Sequence, residues 1–273
     1  MPELPEVETT RRGLHPWLVG APIAELVVRE PRLRWPIDPD LGDTLRGRTV
    51  RDVLRRGKYL LLTLDTGGAL IIHLGMSGSL TLAPPGTPPG PLEPFDLVFG
   101  HDRGLCVRMR DPRRFGALLY SDRPLAHPLL ASLGPEPLET GFSGSYLWRR
   151  ARGRTIAIRD FLLNGQIVAG IGNIYANEAL FGAGIHPHRA AGRISAPRYD
   201  ALAHAIVTVL EGAIAAGGTT LKDFAHSTGR PGYFQQQLKA YGRSGAPCPR
   251  CPGMIVRLTG GARSAYYCPG CQR

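Results

Sequence analysis

Two cysteine pairs near the C-terminal end constrain this chain more than any other feature. Cys248-Pro-Arg-Cys251 and Cys268-Pro-Gly-Cys271 are Cys-x-x-Cys knuckles separated by 16 residues. Each knuckle turns two thiolates toward one point, and two knuckles complete a tetrahedral four-sulfur site of the kind that binds Zn2+. Redox pairs and disulfides are the alternatives. The chain shows no export signal, and in a reducing compartment clustered thiols serve metals more often than disulfides. Four protein ligands leave no open position, so the zinc is expected to be structural, holding about thirty residues that are too few to fold alone. Between the knuckles, Ile255-Val256-Arg257 and Ser264-Ala265-Tyr266-Tyr267 read as strands joined at Gly260-Gly261-Ala262-Arg263, a hairpin with a basic tip. Cys106 stands apart on a predicted strand and reads as a small buried apolar side chain.

Ahead of this unit the pattern changes twice. Residues 3 to about 18 read as a helix with Leu4, Val7 and Leu14 on one face and Pro5 in the first turn. From Ile23 to Tyr120 the signals are mostly strand. Tyr59 to Leu64 and Ala69 to Leu74 flank Asp65-Thr66-Gly67-Gly68, and Asp96 to Phe99 and Leu105 to Met109 flank a turn at Asp102-Arg103-Gly104. Between these hairpins the Pro- and Gly-rich stretch Ala83 to Pro94 reads as a loop. Many short antiparallel strands predict a sandwich or barrel-like β domain. Residues 121 to about 150 read as a connector. Helices are then expected over Ile167 to Phe181 and Tyr199 to Ala216, the second with a stripe of Leu202, Ile206, Val209, Leu210 and Ile214 ended by Gly217-Gly218. The expected class is α+β, with an N-terminal domain over 1–133, a linker over 134–150, a helical domain over 151–235 and the zinc-bound unit over 240–273.

Lysine and arginine total 33 against 22 aspartate and glutamate, a net charge of +11. That balance suits a nucleic-acid binder, though a generally basic protein is the plain alternative. There is no stretch of 18 apolar residues to span a membrane, and the acidic N-terminus does not read as a signal peptide. That N-terminus, Met1-Pro2-Glu3-Leu4-Pro5-Glu6-Val7-Glu8, carries its own chemistry. Trimming of Met1 exposes Pro2 as a secondary amine able to attack a sugar carbon. The resulting iminium cannot lose a proton to become a neutral imine, so it stays cationic and acidifies neighbouring C–H bonds. Glu3 beside it is placed to move protons. The plain alternative is a helix start enriched in acidic residues. The helix's positive end disfavours protonation of the amine, and Glu3 and Glu6 favour it.

Together these segments resemble the formamidopyrimidine-DNA glycosylase family. The resemblance covers essentially the whole chain. It rests on the N-terminal run, Arg56-Gly57-Lys58, His73-Leu74-Gly75-Met76-Ser77-Gly78, Asp111-Pro112-Arg113-Arg114-Phe115-Gly116, Val168 to Ala176, Tyr241-Gly242-Arg243 and the four cysteines. It implies a two-domain clamp on duplex DNA. An N-terminal β-sandwich carries the catalytic helix, and a helix–two-turns–helix domain is followed by a β-hairpin zinc finger. It implies removal of oxidised purines and cleavage at the abasic site, in a monomer of the bacterial cytoplasm associated with the nucleoid.

By the resemblance, Pro2 is the nucleophile, Glu3 the general acid/base and Glu6 a structural carboxylate near the amine. Lys58, His73, Asn173, Tyr241 and Arg263 contact phosphates. For Lys58 the plain alternative is a solvated lysine, for His73 a structural histidine, and for Asn173 a helix cap. Met76, Arg113 and Phe115 match the trio that fills the space left by an everted base, a step that costs a few kcal/mol of stacking and pairing. The alternative for Met76 and Phe115 is a place in the core, although Gly75, Ser77-Gly78 and Gly116 around them suggest exposed loops. Leu4 and this trio separate the chain from the sister family acting on oxidised pyrimidines, whose pattern has Gly in place of Leu4. A non-catalytic binder of distorted DNA is the alternative of a different class; Pro2, Glu3 and Lys58 together argue against it. Asn164-Gly165 departs from the Asp-Gln common before Val168. Thr219 and Thr220, in a loop expected to close over the extruded base, are candidates for reading it.

Overall fold

The computed structural model describes residues 2–84, 86–100, 104–218, 237–259 and 263–273. They fall into two compact units, one of residues 2–131 with 216–218, the other of 132–215 with 237–273.

The first unit opens with helix α1 (Leu4–Leu18), whose Leu4, Val7, Leu14 and Leu18 are fully buried, as the spacing predicts. Next come strand β1 (Ile23–Val28), the short helix α2 (Leu41–Leu45) and seven strands: β2 (Val50–Arg56), β3 (Tyr59–Leu64), β4 (Ala69–His73), β5 (Ser79–Ala83), β6 (Phe95–Phe99), β7 (Leu105–Arg110) and β8 (Ala117–Ser121). They form two antiparallel four-stranded sheets, ordered β1-β6-β7-β5 and β2-β3-β4-β8. Phe95, Leu97, Phe99, Val107 and Met109 of one sheet share a single core with Val53, Leu60, Leu62, Leu70, Ile72 and Leu118 of the other, and α1 adds Val7, Leu14 and Leu18. Two sheets burying facing apolar sides against each other make a β-sandwich. The β3–β4 and β6–β7 hairpins fall where the alternation puts them, with Tyr59 opposite His73 and Phe99 opposite Leu105. The Asp102-Arg103 tip lies outside the described residues. Cys106 is buried on β7, and burial pushes its thiol up to about 11, the behaviour of an inert core cysteine.

After α3 (Pro128–Ala131), the second unit is helical: α4 (Gly144–Ala151), α5 (Ile158–Leu163), α6 (Asn173–Gly182) and α7 (Ala196–Ala215). Two expectations are corrected here. The stretch read as a connector holds α4, which the Ser143 side chain caps by accepting from the Tyr146 N–H at 3.1 Å. Its Leu147 and Ala151 are buried, so tertiary packing sustains a helix whose local composition does not announce one. The helix expected from Ile167 begins only at Asn173. Residues 167–172 are buried but irregular; Gly170 takes φ +82 and Gly172 is the N-cap. An apolar run with helical spacing is thus a buried turn, a case periodicity alone does not separate. Helix α7 ends at Ala215, just ahead of Gly217 and Gly218, both at φ +78, as expected. The polar loop that follows, with Thr219 and Thr220, lies outside the described residues. The unit closes with the two-stranded hairpin β9 (Val256–Leu258) and β10 (Ala265–Tyr267). Among the described residues, no helix is long and apolar enough to cross a membrane.

Candidate active site

In the first unit, Pro2 and Glu3 are buried at the head of α1. Glu3 is the N-cap and forms a capping box with Glu6, whose Oε2 accepts from the Glu3 N–H at 2.8 Å. Glu6 therefore spends one oxygen on fixing the backbone that carries Pro2. Its other oxygen faces Gly218, where a Cβ would lie 3.2 Å from Oε1. One turn on, buried Glu8 accepts from Arg11 Nη2 at 2.9 Å, Arg12 Nε at 2.8 Å and Arg55 Nε at 3.2 Å. Burial raises the Glu8 pKa, but the guanidiniums prevail and hold it below the usual carboxylate range. This network ties α1 to β2 and was not legible in the sequence, because nothing marks which acidic residue of Glu3-x-x-Glu6-x-Glu8 faces inward.

Lys58 stands on the two-residue β2–β3 hairpin tip, where Gly57 supplies the left-handed φ of +56. His73 ends β4 opposite Tyr59, their ring centroids 4.8 Å apart. Its Nδ1 accepts from the Gly75 N–H at 3.0 Å. That leaves Nε2 to carry the proton. Burial first, then the charges of Lys58 and Arg34, hold the imidazole down to about 4. At neutral pH His73 is an uncharged N–H donor beside two cations, a small anion-binding group. Arg34 was not singled out from the sequence.

Met76 and Phe115 are 39% and 42% exposed, which removes the core alternative for both. They ride on two loops in backbone contact. Gly75 has φ +66, and a Cβ there would meet Phe115 C at 2.6 Å, so only glycine permits the approach. The Arg113 guanidinium lies 4.9 Å from the Phe115 ring centroid. Buried Asp111 holds the second loop from behind, its Oδ2 accepting from the Gly116 N–H at 2.7 Å. Burial pushes the Asp111 carboxyl up. Its Oδ1 is buried with no partner among the described residues. Arg114 takes φ +56, unusual for a non-glycine residue, and pairs with Glu30 at 2.8 Å.

In the second unit, Asn173, Tyr241 and Arg263 gather around the hairpin. Asn173 is the first residue of α6 and not its cap, and its Nδ2 donates to the Ser264 carbonyl at 3.0 Å. Arg263 is exposed, and its carbonyl accepts from buried Arg159 Nη1 at 2.8 Å. Tyr241 packs edge-on against Tyr266, centroids 5.1 Å apart. Asn177, one turn after Asn173, accepts from the Tyr266 N–H at 2.7 Å. Glu178 is 4% exposed and accepts the N–H groups of Lys239, Ala240 and Tyr241 at 2.9, 2.8 and 2.7 Å. Asn177, Glu178 and Arg159 escaped the sequence reading, since their partners are backbone groups far along the chain.

The four knuckle cysteines bring their Sγ atoms within 4.8 Å of one another and could hold a metal ion. Cys248–Cys271 and Cys251–Cys268 are 3.8 and 3.5 Å apart. A disulfide needs about 2.05 Å. Burial raises the Cys248 thiol, but the Arg250 N–H and neighbouring thiols outweigh it and bring it to about 7. Hydrogen bonding with Cys251, then burial, pushes Cys271 up to about 12.

A family model for the formamidopyrimidine-DNA glycosylase N-terminal domain matches residues 1–118, and one for the H2TH domain of the same enzymes matches 133–225. A formamidopyrimidine-DNA glycosylase of Methylococcus capsulatus is 56% identical over 276 residues, covering all of both chains. The chain belongs to the formamidopyrimidine-DNA glycosylase family. Two solved structures of the Lactococcus lactis member of this family superpose on it. A mutant of that protein bound to DNA containing Fapy-dG gives a TM-score of 0.91, and the wild type bound to DNA containing an oxidised pyrimidine gives 0.90; each is 33% identical and covers all of both chains.

Proposed function

We propose that this chain excises oxidised purines, 8-oxoguanine and formamidopyrimidines, from duplex DNA and then cleaves the strand at the abasic site. The observation that carries the reading is Pro2-Glu3, buried at the capped head of α1, in a chain that belongs to the formamidopyrimidine-DNA glycosylase family over its whole length. The Lactococcus relative bound to an oxidised pyrimidine supports a second reading, in which the lesion range extends to those bases.

In the reaction, the Pro2 nitrogen attacks C1′ and the N-glycosidic bond breaks, the base leaving with a proton. Glu3 assists ring opening by donating to the sugar oxygen and later takes up protons. The iminium draws electrons from the C2′–H bond; that proton is lost and the 3′ phosphate leaves, and a second elimination expels the 5′ phosphate. The positive Lys58 and the Nε2–H of His73 bind the adjacent phosphate, and the Lys58 charge assists its departure. Arg263 and Tyr241 serve further phosphates, and Asn173 serves through the N–H groups that open α6 while its carboxamide steadies the hairpin. Phe115 wedges the base step, Met76 fills the void and Arg113 pairs with the orphaned base.

The thiolates fit structural zinc. A tetrahedron of Zn–S bonds of about 2.3 Å has edges of about 3.8 Å, against the 3.5 and 3.8 Å found. When bound, zinc supplies no reaction step and holds the hairpin. Of the expected domain boundaries we keep a catalytic domain over 1–133 and a finger over 240–273, and we extend the helix–two-turns–helix domain from 151–235 back over the stretch 134–150, because α4 in that stretch is packed in the second unit.

The test is borohydride trapping on a duplex with one 8-oxoguanine opposite cytosine. A lesion-dependent covalent adduct mapping to Pro2 is expected. Trapping on an oxidised-pyrimidine duplex as well supports the second reading, trapping on that duplex alone overturns the purine reading, and trapping on neither leaves a non-catalytic binder. A second expectation concerns Asp111. Asp111→Ala leaves the Gly116 N–H unpaired, a loss of ~1–3 kcal/mol in the order of the wedge loop. Excision of 8-oxoguanine is expected to fall about tenfold, the equivalent of 1.4 kcal/mol, while Asp111→Asn, which keeps an acceptor, falls less. Cleavage at a preformed abasic site is the control. Equal loss on both substrates would show a general defect and remove the loop-positioning role.

A further inference from the structure

Many arginines of this protein have guanidiniums engaged by carboxylates or by backbone carbonyls. In the first unit, Arg11, Arg12 and Arg55 pair with Glu8, Arg29 and Arg108 with Asp96, and Arg32 and Arg114 with Glu30. In the second unit, Arg198 and Arg250 donate to backbone carbonyls at 2.8 Å. These guanidiniums are each held by a partner within the protein.

A second group, around the end of α4, has no carboxylate partner among the described residues. Arg149, Arg150, Arg152, Arg154 and Arg193 are all exposed. Among the described residues, none of the five pairs with a carboxylate, and only Arg154 makes a guanidinium hydrogen bond, to the Arg150 carbonyl at 2.9 Å. The backbone forces them together. The Gly192 N–H donates to the Arg154 carbonyl at 2.9 Å, and a Cβ on Gly192 would sit 2.7 Å from that oxygen, so the chain leading into Arg193 lies against Arg154. Arg154 in turn donates its own N–H to Ala151 at the end of α4. Arg152 is held over the Trp148 ring at 5.1 Å, which orders its guanidinium before any ligand arrives.

Five exposed arginines on neighbouring backbone segments, none within salt-bridge reach of a carboxylate among the described residues, repel one another until an anion neutralises them. Arginine's planar fork suits phosphate oxygens, and a cluster of this kind gains most from a polyanion with regularly spaced charges. We propose that this arginine surface is a second contact for the phosphates of duplex DNA, separate from Asn173, Tyr241 and Arg263. It contributes to affinity for duplex without sequence preference, in addition to the contacts made at the lesion. The proposal rests on the reading of the chain as an enzyme of duplex DNA.

The experiment compares the full-length protein with the variant carrying Arg149→Gln, Arg150→Gln, Arg152→Gln and Arg193→Gln. Affinity for undamaged duplex is followed against salt by fluorescence anisotropy, on a duplex of about one helical turn and one of about four turns. Each lost phosphate contact removes about 0.9 from the slope of log affinity against log salt. A loss of about two units or more is expected on the long duplex, with the short duplex and its single-turnover excision unchanged. If the slope falls only when a second short duplex is supplied in trans, the surface holds a separate DNA segment and not the flank of the same one; the phosphate contact stands either way. An unchanged slope in all three arrangements, from a variant whose thermal melt matches the parent, overturns the proposal. Absence of lesion excision by the parent protein would instead remove the proposed function, and the salt slope on undamaged duplex still reads the surface independently.

Discussion

Blocking the Pro2 nitrogen, by acetylation or by retention of Met1, is expected to abolish base excision and strand cleavage together. In the proposed reaction both activities pass through one bond, from that nitrogen to C1′. Loss of at least about 10³-fold is expected, the scale on which removing a nucleophile acts in other covalent enzymes, and the borohydride adduct should disappear. Glu3→Gln makes the complementary case. A glutamine still accepts a hydrogen bond at the N-cap, so the head of α1 and its tie to Glu6 persist. What is lost is the proton transfer, worth about 10²–10⁴ in rate. Pro2→Gly keeps an N-terminal amine, but its imine can shed a proton and become neutral. It withdraws electrons less well, so some cleavage of abasic sites should survive while excision falls further. Rate and adduct are measured on the same duplex for each variant. A blocked protein that still excised 8-oxoguanine at the parent rate would exclude Pro2 as the nucleophile.

The catalytic head was readable in the sequence because its determinants are local. Leu4, Val7 and Leu14 repeat at helical spacing, and Glu3 precedes Glu6 by the three residues of a capping box. The same holds for the cysteine knuckles, where the x-x spacing encodes the turn; the β2–β3 hairpin that presents Lys58 was not among the hairpins read, although Gly57 is a local mark of its turn. What could not be read depends on contacts made across the fold. Helix α4 exists because Leu147 and Ala151 find a core, and a connector-like composition hides that. Asp111 and Glu178 act through backbone N–H groups, which are identical in every residue and leave no mark at the positions they serve. Asn173 shows the limit most plainly. Its place near the start of a helix was legible, but not that α6 begins at Asn173 itself, six residues after the expected Ile167, nor that its carboxamide is committed to Ser264, 91 residues away.

That commitment makes the cysteine cluster consequential for DNA binding. Besides the four sulfurs, the buried core of the finger is small: Phe181, Ala240, Ile255 and the cysteines themselves, with Tyr266 packed alongside. So few apolar side chains do not offset the entropy of ordering some thirty residues. In isolated zinc fingers the metal contributes about 10–16 kcal/mol, which is the folding energy. Chelation, or Cys268→Ser at the fully buried ligand, is therefore expected to unfold the hairpin and release Arg263, Tyr266 and the Asn173–Ser264 bond together. Affinity for duplex DNA should fall about a hundredfold or more, since several phosphate contacts are lost in one event. The far-ultraviolet signal of the β-sandwich should remain, because its core contains none of these residues. One zinc per chain by elemental analysis, lost in parallel with binding and restored on readdition, is the expected record. A chelated protein that kept its affinity would mean that thiol hydrogen bonds alone hold the hairpin. Thiols are weak hydrogen-bond donors and acceptors, and contacts of 3.5 and 3.8 Å between sulfurs hold far less than four Zn–S bonds, which argues against that outcome.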